Sequence, residues 1–269
     1  MKKKLIAAPY LLWMVLFIIA PLLFVAYYAF TDSSGAFSFN NVLSLGQYAE
    51  VFADSIYFAM IASMISLLIS YPVAYCIAHA KPTHQKLLIM LVILPMCMSF
   101  LLRTLAWVSL LEDNGFINKF IMMLGFEPLK LIRTNGAVIL GMVYNYIPYM
   151  ILPLYTVLIK IDNSLYEASA DLGANKLQTF FRVTLKMSVP GIISGITMVF
   201  VPAVSTFYIS KKLGSTSSIM VGDVVESLFK TSYNPNLGAA MSLVLMVIIL
   251  ICMALVNRFG EDDGEAIVV

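Results

Sequence analysis

Apolar residues gather into six long intervals, roughly 7–30, 55–80, 87–111, 136–159, 188–210 and 238–257, and all but the third lack Asp, Glu, Lys and Arg. The third is interrupted by Arg103. Each is long enough for the ~20 residues a helix needs to cross a hydrocarbon core. Backbone groups at that depth have no water to bond, so such a run must satisfy itself as a helix. A transmembrane barrel would instead show alternating segments of about ten residues, which this chain lacks. The pattern predicts an all-α membrane protein of about six spans.

Composition points the same way. Hydrophobic residues make up 61% of the 269 and charged residues only 12%, whereas a soluble domain carries about 25% charged residues. The start Met1-Lys2-Lys3-Lys4 has the look of a signal peptide, but the charge-free run continues from Leu5 to Thr31. That exceeds the about 7–15 residues of a signal core and suits an uncleaved first helix.

Lys and Arg between the spans set the orientation. If both termini are cytoplasmic, the inside pieces 1–6, 81–86, 160–187 and 258–269 hold ten Lys and Arg. The outside loops 31–54, 112–135 and 211–237 are longer in total and hold six. The expected division is a first helix with its outer loop (1–54), a core (55–257) and a cytoplasmic tail (258–269).

A net charge of +2 gives no reason to expect a nucleic-acid partner. Cys76, Cys97 and Cys252 lie inside apolar runs, and His79 and His84 flank a short loop with no third ligand near in sequence. No metal, disulfide or haem is expected.

Eight of the eleven prolines sit in or at the ends of apolar runs: Pro9, Pro21, Pro72, Pro95, Pro148, Pro153, Pro190 and Pro202. Proline removes a backbone bond and kinks a helix. The closeness of Pro148 and Pro153 predicts that the fourth span breaks into irregular backbone, which a membrane tolerates where it is buried or lines a cavity. Proline is also simply commoner in membrane helices than in soluble ones.

The interval 160–187 is too long for a connector and has helical grammar. Ser164 followed by Glu167 reads as a capping box that starts a helix. Leu165, Ala168 and Leu172 form an apolar stripe, Gly173 is a natural stop, and Asn175 with Gln178 reads as a second start. The prediction is helix, sharp bend, helix. Glu167 and Asp171 share a face, either as a solvated acidic surface or as part of a face that docks on a partner.

Glu167-Ala168-Ser169, three residues, Gly173, nine residues, then Val183-Thr184-Leu185-Lys186 resembles the EAA loop of type-1 ABC importer permeases, the MetI-like fold. That loop reads E-A-A, three residues, G, nine residues, I-x-L-P. Ser169, Val183 and Lys186 depart from it. Gly141-Met142-Val143-Tyr144, Ile147-Pro148-Tyr149-Met150, Leu152-Pro153-Leu154-Tyr155, Lys176–Phe180, Pro190-Gly191-Ile192 and Phe207-Tyr208-Ile209-Ser210 resemble the spermidine/putrescine importer permeases, above all the first of the two permease subunits of such a system.

The resemblance implies half of a translocation pathway for polyamines in a bacterial inner membrane. Glu167, Ala168 and Gly173 would be the ATPase-coupling positions, with Asp171 on the same face. It implies a second permease subunit, a cytosolic ATPase dimer and an extracellular substrate-binding protein as partners, besides membrane lipid. ATP and Mg would sit on the ATPase, since no GxxxxGK[ST] sequence occurs here, and this chain would be a transport subunit with no cofactor of its own.

A polycation asks for carboxylates and aromatic faces. Candidates are Glu112, Asp113, Asp223 and Glu226, with Trp107, Tyr144, Tyr146, Tyr149, Phe207 and Tyr208. The rings equally suit an interfacial belt or packing, and the carboxylates a solvated loop. Arg103 is costly near mid-span, so it needs a partner or water. It reads as a structural anchor, paired with carbonyls or with the partner subunit, although a lone Arg lining the path would suit an anionic solute. Alternatives are the same machine for iron(III), sulfate or an organophosphorus compound, and a stand-alone secondary transporter. The latter would need its own coupling-ion site, and no membrane-embedded acidic pair is present in the sequence. The spans also lack a Ser/His, Asp/Asp or HExxH constellation for an intramembrane enzyme.

Overall fold

The computed structural model describes residues 9–32, 35–215 and 218–265. The Lys2–Lys4 cluster, the start of the first span and residues 266–269 of the tail lie outside the described residues. Twelve helices are followed here: α1 Pro9–Ala29, α2 Asn40–Ala78, α3 Pro82–Cys97, α4 Phe100–Leu111, α5 Phe116–Met123, α6 Asn135–Leu158, α7 Asn163–Asp171, α8 Lys176–Met187, α9 Val189–Val204, α10 Tyr208–Leu213, α11 Val221–Lys230 and α12 Pro235–Glu265. Among the described residues β structure amounts to one isolated bridge, Thr31 with Phe37.

Four helices (α1, α2, α6, α12) are long and apolar enough to cross a membrane, and the bent pairs α3 with α4–α5 and α8 with α9 raise this to six. Helices α2, α6 and α9 pack on one another as the core, and α12 joins α1, α9 and α11 to it. Most of the buried face of α2 is small, with Ser55, Ala59, Ala62, Ser63, Ser66, Ser70 and Ala74 between the larger Phe52, Phe58, Tyr71 and Ile77. Lipid tails are as apolar as leucine, so helices in a bilayer associate through close packing, which small side chains permit. Gly195 of α9 lies against Met150 of α6 in the same way, and an added Cβ would stand 2.5 Å from the Met150 sulfur. Helix α1 leaves Leu12, Phe17, Leu23 and Phe24 outward, a surface suited to acyl chains.

The third span is not one straight helix from 87 to 111. Helix α3 starts at Pro82, tightens at Leu94–Cys97 around Pro95, and the chain turns by 88° before α4 and α5 continue. Arg103 is therefore in the first turns of a new helix rather than midway along a continuous one. The fourth span also differs from expectation. Pro148 and Pro153 both lie inside an unbroken α6. Each costs only the i+4 donor of one carbonyl, that of Tyr144 or Tyr149. Burial of Met142, Met150, Ile151 and Leu154 against α2 and α9 holds the helix together across those gaps.

Three boundaries move as well. Helix α2 begins at Asn40, well before residue 55, so the first outer loop is shorter than 31–54. The fifth span stops at Val204, and Tyr208–Leu213 forms a separate short helix. Helix α12 continues to Glu265 through most of the expected tail.

Side chains fasten the outer segments. Ser55 of α2 accepts the Val221 N–H at 2.8 Å, holding the start of α11. The fully buried Asn118 amide exchanges two 2.9 Å bonds with the backbone of Leu129, closing the 124–134 loop on α5. Asn236 of α12 donates to the Tyr28 carbonyl at 3.2 Å and the Thr31 carbonyl at 2.6 Å, tying α12 to the end of α1.

Candidate functional site

The most distinctive surface is the α7–α8 hairpin. It starts two residues earlier than Ser164 and Glu167 suggest. Asp162 is the cap, accepting the Ser164 N–H at 2.9 Å, so Asn163 is the first helical residue. That bond and the Ser164 hydroxyl hold the Asp162 carboxyl below its ordinary value. The second start is as expected: Asn175 and Gln178 cap each other through bonds of 2.8 and 2.9 Å.

Between them the chain closes a Schellman turn. Gly173 N–H donates to Ala170 at 2.9 Å, Ala174 N–H donates to Ser169 at 3.1 Å, and Gly173 has φ +78°. The pattern satisfies two of the last carbonyls of α7. The Ser169 and Thr179 hydroxyls, 2.8 Å apart, clasp the two arms.

Among the described residues the apolar stripe of α7 finds no cover. Leu172 is 89% exposed, and Leu165 and Ala168 are also exposed. They border a groove of about 510 Å³ that includes Gly173, Gln178 and Arg182. Glu167 and Asp171 are exposed on the same short helix. Such a surface can insert into a complementary groove of another protein.

The candidate pathway residues separate into smaller groups. Trp107 of α4 meets Tyr144 of α6 edge to face at 5.3 Å. Tyr146 is 7% exposed, and its hydroxyl donates to the Pro202 carbonyl of α9 at 3.3 Å, so it joins α6 to α9. Its ring also neighbours Tyr149. Tyr208 lies between Phe100 at 6.2 Å and the Lys212 ammonium at 6.0 Å, so a cation of the chain itself already shares its face. Phe207 is exposed in the linker before α10. The carboxylates stand on other elements. Glu112 and Asp113 are exposed in the turn after α4, and Asp223 and Glu226 are on α11.

Asp223 and Glu226 border a cavity of about 520 Å³ between α10 and α11, with Ser210, Ser227, Lys211 and Lys230. Glu226 bonds Lys230 at 2.9 Å and Lys211 at 3.1 Å, and these bonds pull its carboxyl below the ordinary value. Asp223 goes the other way. Burial raises it, against the Met220 N–H bond and the nearby Ser210 and Lys211. A carboxyl raised in the folded state favours folding below its ordinary value, and the benefit falls as pH rises through the folded value. Asp223→Asn should therefore raise the melting temperature at neutral pH and flatten its dependence on pH, read by thermal unfolding of the purified complex. An unchanged profile would count against a strained carboxylate here.

Arg103 is 7% exposed, and its Nε and Nη1 are buried with no hydrogen-bond partner. Among the described residues no carbonyl accepts from these two nitrogens. Sequence reading singled out neither Tyr71 nor Ser188. These residues of α2 and of the α8–α9 bend are joined by a buried 2.9 Å hydrogen bond. Their separation of 117 residues leaves no local signal.

The profile of the family described as "Binding-protein-dependent transport system inner membrane component" matches residues 66–261. The spermidine/putrescine transport system permease protein PotB of Haemophilus influenzae is 36% identical over 259 residues, covering 93% of this chain and 91% of that protein. Among solved structures, a bacterial ABC transporter that imports the acidic polysaccharide alginate is similar with TM-score 0.78 and 19% identity, over 97% of this chain and 96% of the matched one. The alginate transporter in complex with its alginate-bound periplasmic protein is similar with TM-score 0.76 and 18% identity, over 95% and 92%. At these identities the two structures speak for a shared fold.

Proposed function

Since the chain belongs to the family of binding-protein-dependent transport system inner membrane components, and so is a permease component of an ABC importer, we propose that it forms half of a transmembrane pathway for polyamines and is driven by a cytosolic ATPase through the α7–α8 hairpin. The likeness to PotB along nearly its whole length supports the substrate class. The observation that carries the coupling is the uncovered α7 stripe beside Glu167 and Asp171 at a glycine-built bend. Leu165, Ala168 and Leu172 border one groove as a contiguous uncovered stripe, which supports a docking surface as a singly exposed residue would not.

In this reading Glu167, Ala168, Asp171 and Gly173 meet the ATPase dimer, which holds ATP and Mg. A homologous second permease completes the pathway, and an extracellular binding protein delivers the solute. Both termini are cytoplasmic, because the hairpin has to face the ATPase. Closure of the ATPase would shift the spans between inward-open and outward-open arrangements, which requires only that it bind one of them better. The ring pair Trp107–Tyr144 offers π faces to ammonium groups, each worth roughly 0.5–2 kcal/mol, and the counter-charge of Arg103 comes from outside this chain.

Arg103 also favours a second reading, in which the same machine takes an anionic solute that meets the unpaired guanidinium. Uptake into proteoliposomes carrying this chain with the subunits encoded beside it separates the two. Labelled spermidine should accumulate with ATP, and labelled sulfate should not. The opposite result would replace the substrate, and purification of an active carrier without any ATPase would remove the whole scheme.

A further inference from the structure

Helix α8 meets α9 at 60°, and the residue at the corner is Ser188. Ser188 is fully buried. Its hydroxyl donates to the Leu185 carbonyl at 2.9 Å, which spends its proton on the last turn of α8. The remaining bond must come from outside, and the Tyr71 hydroxyl of α2 supplies it at 2.9 Å. Tyr71 is itself buried. The corner of the hairpin arm is thus fastened to a core helix by one hydrogen bond in an apolar setting, where such bonds are strong and costly to leave unmade.

Aromatic rings extend the connection to the hairpin. Tyr71, Tyr75 and His79 recur every fourth residue along α2 and so share one face. Phe180, in a π-helical turn of α8, sits edge-on to both Tyr71 at 5.7 Å and Tyr75 at 5.8 Å. Tyr75 is 4.2 Å from the His79 ring, and His79 is 5.8 Å from Tyr166 of α7. A continuous row of rings therefore runs from α7 to the Ser188 corner. Pro72, next to Tyr71, removes a backbone bond from α2 at that level and softens the helix where the arm is attached.

We propose that Tyr71 and Ser188 are positioning residues that deliver hairpin displacement to the core: the Tyr71–Ser188 bond locks α8 to α2 so that movement of α7–α8 bends the chain at Ser188 instead of being lost in slippage between α8 and α2. This rests on the ATPase-coupling role of the hairpin. The rings touch edge-on and border an open cavity of about 400 Å³ with Leu185 and Ile192, so ring packing alone leaves room for α8 to slip and the hydroxyl bond is the fixed point.

The test is the number of spermidine molecules transported per ATP hydrolysed, measured on the full reconstituted transporter. Tyr71→Phe removes this bond alone, and Ser188→Ala removes it together with the Ser188–Leu185 bond. Each should lower that ratio by about fivefold, the weight of one net hydrogen bond, while ATP hydrolysis and the amount of assembled transporter stay within about twofold. The double variant should be no worse than Ser188→Ala alone, since the Tyr71–Ser188 interaction is already absent there, and Ser188→Thr, which keeps the hydroxyl, should retain the ratio. Parallel loss of uptake and hydrolysis, additive effects, or an unchanged ratio would each overturn the proposal. Gly173→Val serves as the separate control. If it leaves the ratio intact, the coupling role of the hairpin fails. If it lowers the ratio while Tyr71→Phe does not, only the link fails.

Discussion

Gly173→Val is expected to cut uptake by roughly tenfold or more while the chain still inserts and assembles. The open space around this glycine makes the reason unambiguous. An added Cβ would meet nothing within 4 Å, so no clash is involved. What changes is the backbone: φ is +78°, a left-handed conformation that costs an ordinary side chain roughly 1–2 kcal/mol, and a β-branched one more. With Val there, the Schellman turn opens, Ala174 loses its bond to Ser169, and the Ser169–Thr179 clasp loses its geometry. Helix α7 then points its Glu167–Asp171 face elsewhere. Because the turn is exposed, the packed spans should melt as before. Gly173→Asn, which tolerates the left-handed region, should retain most uptake. Uptake assays on the three forms at equal membrane levels decide it, and wild-type uptake by the Val form would refute a mechanical role for the bend.

Gly222→Val should have a comparably large effect by the opposite route. Here a Cβ would stand 2.6 Å from the Thr206 carbonyl oxygen and 2.7 Å from that of Ser205. Both obstacles are backbone, so no rotamer change relieves them. Helix α11 would have to lift off the linker between α9 and α10, and the Val221 bond to Ser55 would stretch with it. Overpacking of this kind costs about 1–3 kcal/mol. The purified complex should melt several degrees lower, and the Asp223 cavity should lose its shape. Gly46→Ala, at a site with nothing within 4 Å, is the matched control. Equal melting of the Gly222 and Gly46 variants would show that α11 is not held as tightly as described.

The sequence makes the spans legible because a bilayer punishes charge, and charge is easy to see in a string of letters. It makes the hairpin legible because Asn175, Gln178 and Gly173 act on their immediate neighbours. Elsewhere the deciding physics is not local. Pro148 and Pro153 predict a break in isolation, but burial of α6 between α2 and α9 outweighs two missing donors. Around Pro95 a modest local change becomes a turn of 88° because the chain must bring α4 back onto α6 and α10. Asp162 and Ser164 both suit a cap, and only the geometry selects the first. The Tyr71–Ser188 bond joins residues from different spans, and no pattern along the chain could pair them. The candidate residues were legible as chemical types, whereas their separation onto α4, α6, α10, α11 and the segments beside them is a matter of tertiary arrangement.

Arg103 has a consequence for how long the protein survives in a cell. Two of its nitrogens lack a partner among the described residues, and if a companion subunit supplies the anion, as in the proposed assembly, a solitary copy should be more expensive to keep in the membrane. Supply of the other subunits then sets the lifetime of this one. Copies synthesised in excess should turn over quickly, and co-expression of the partner permease should lengthen their half-life, so that stoichiometry is policed by a single unmet charge.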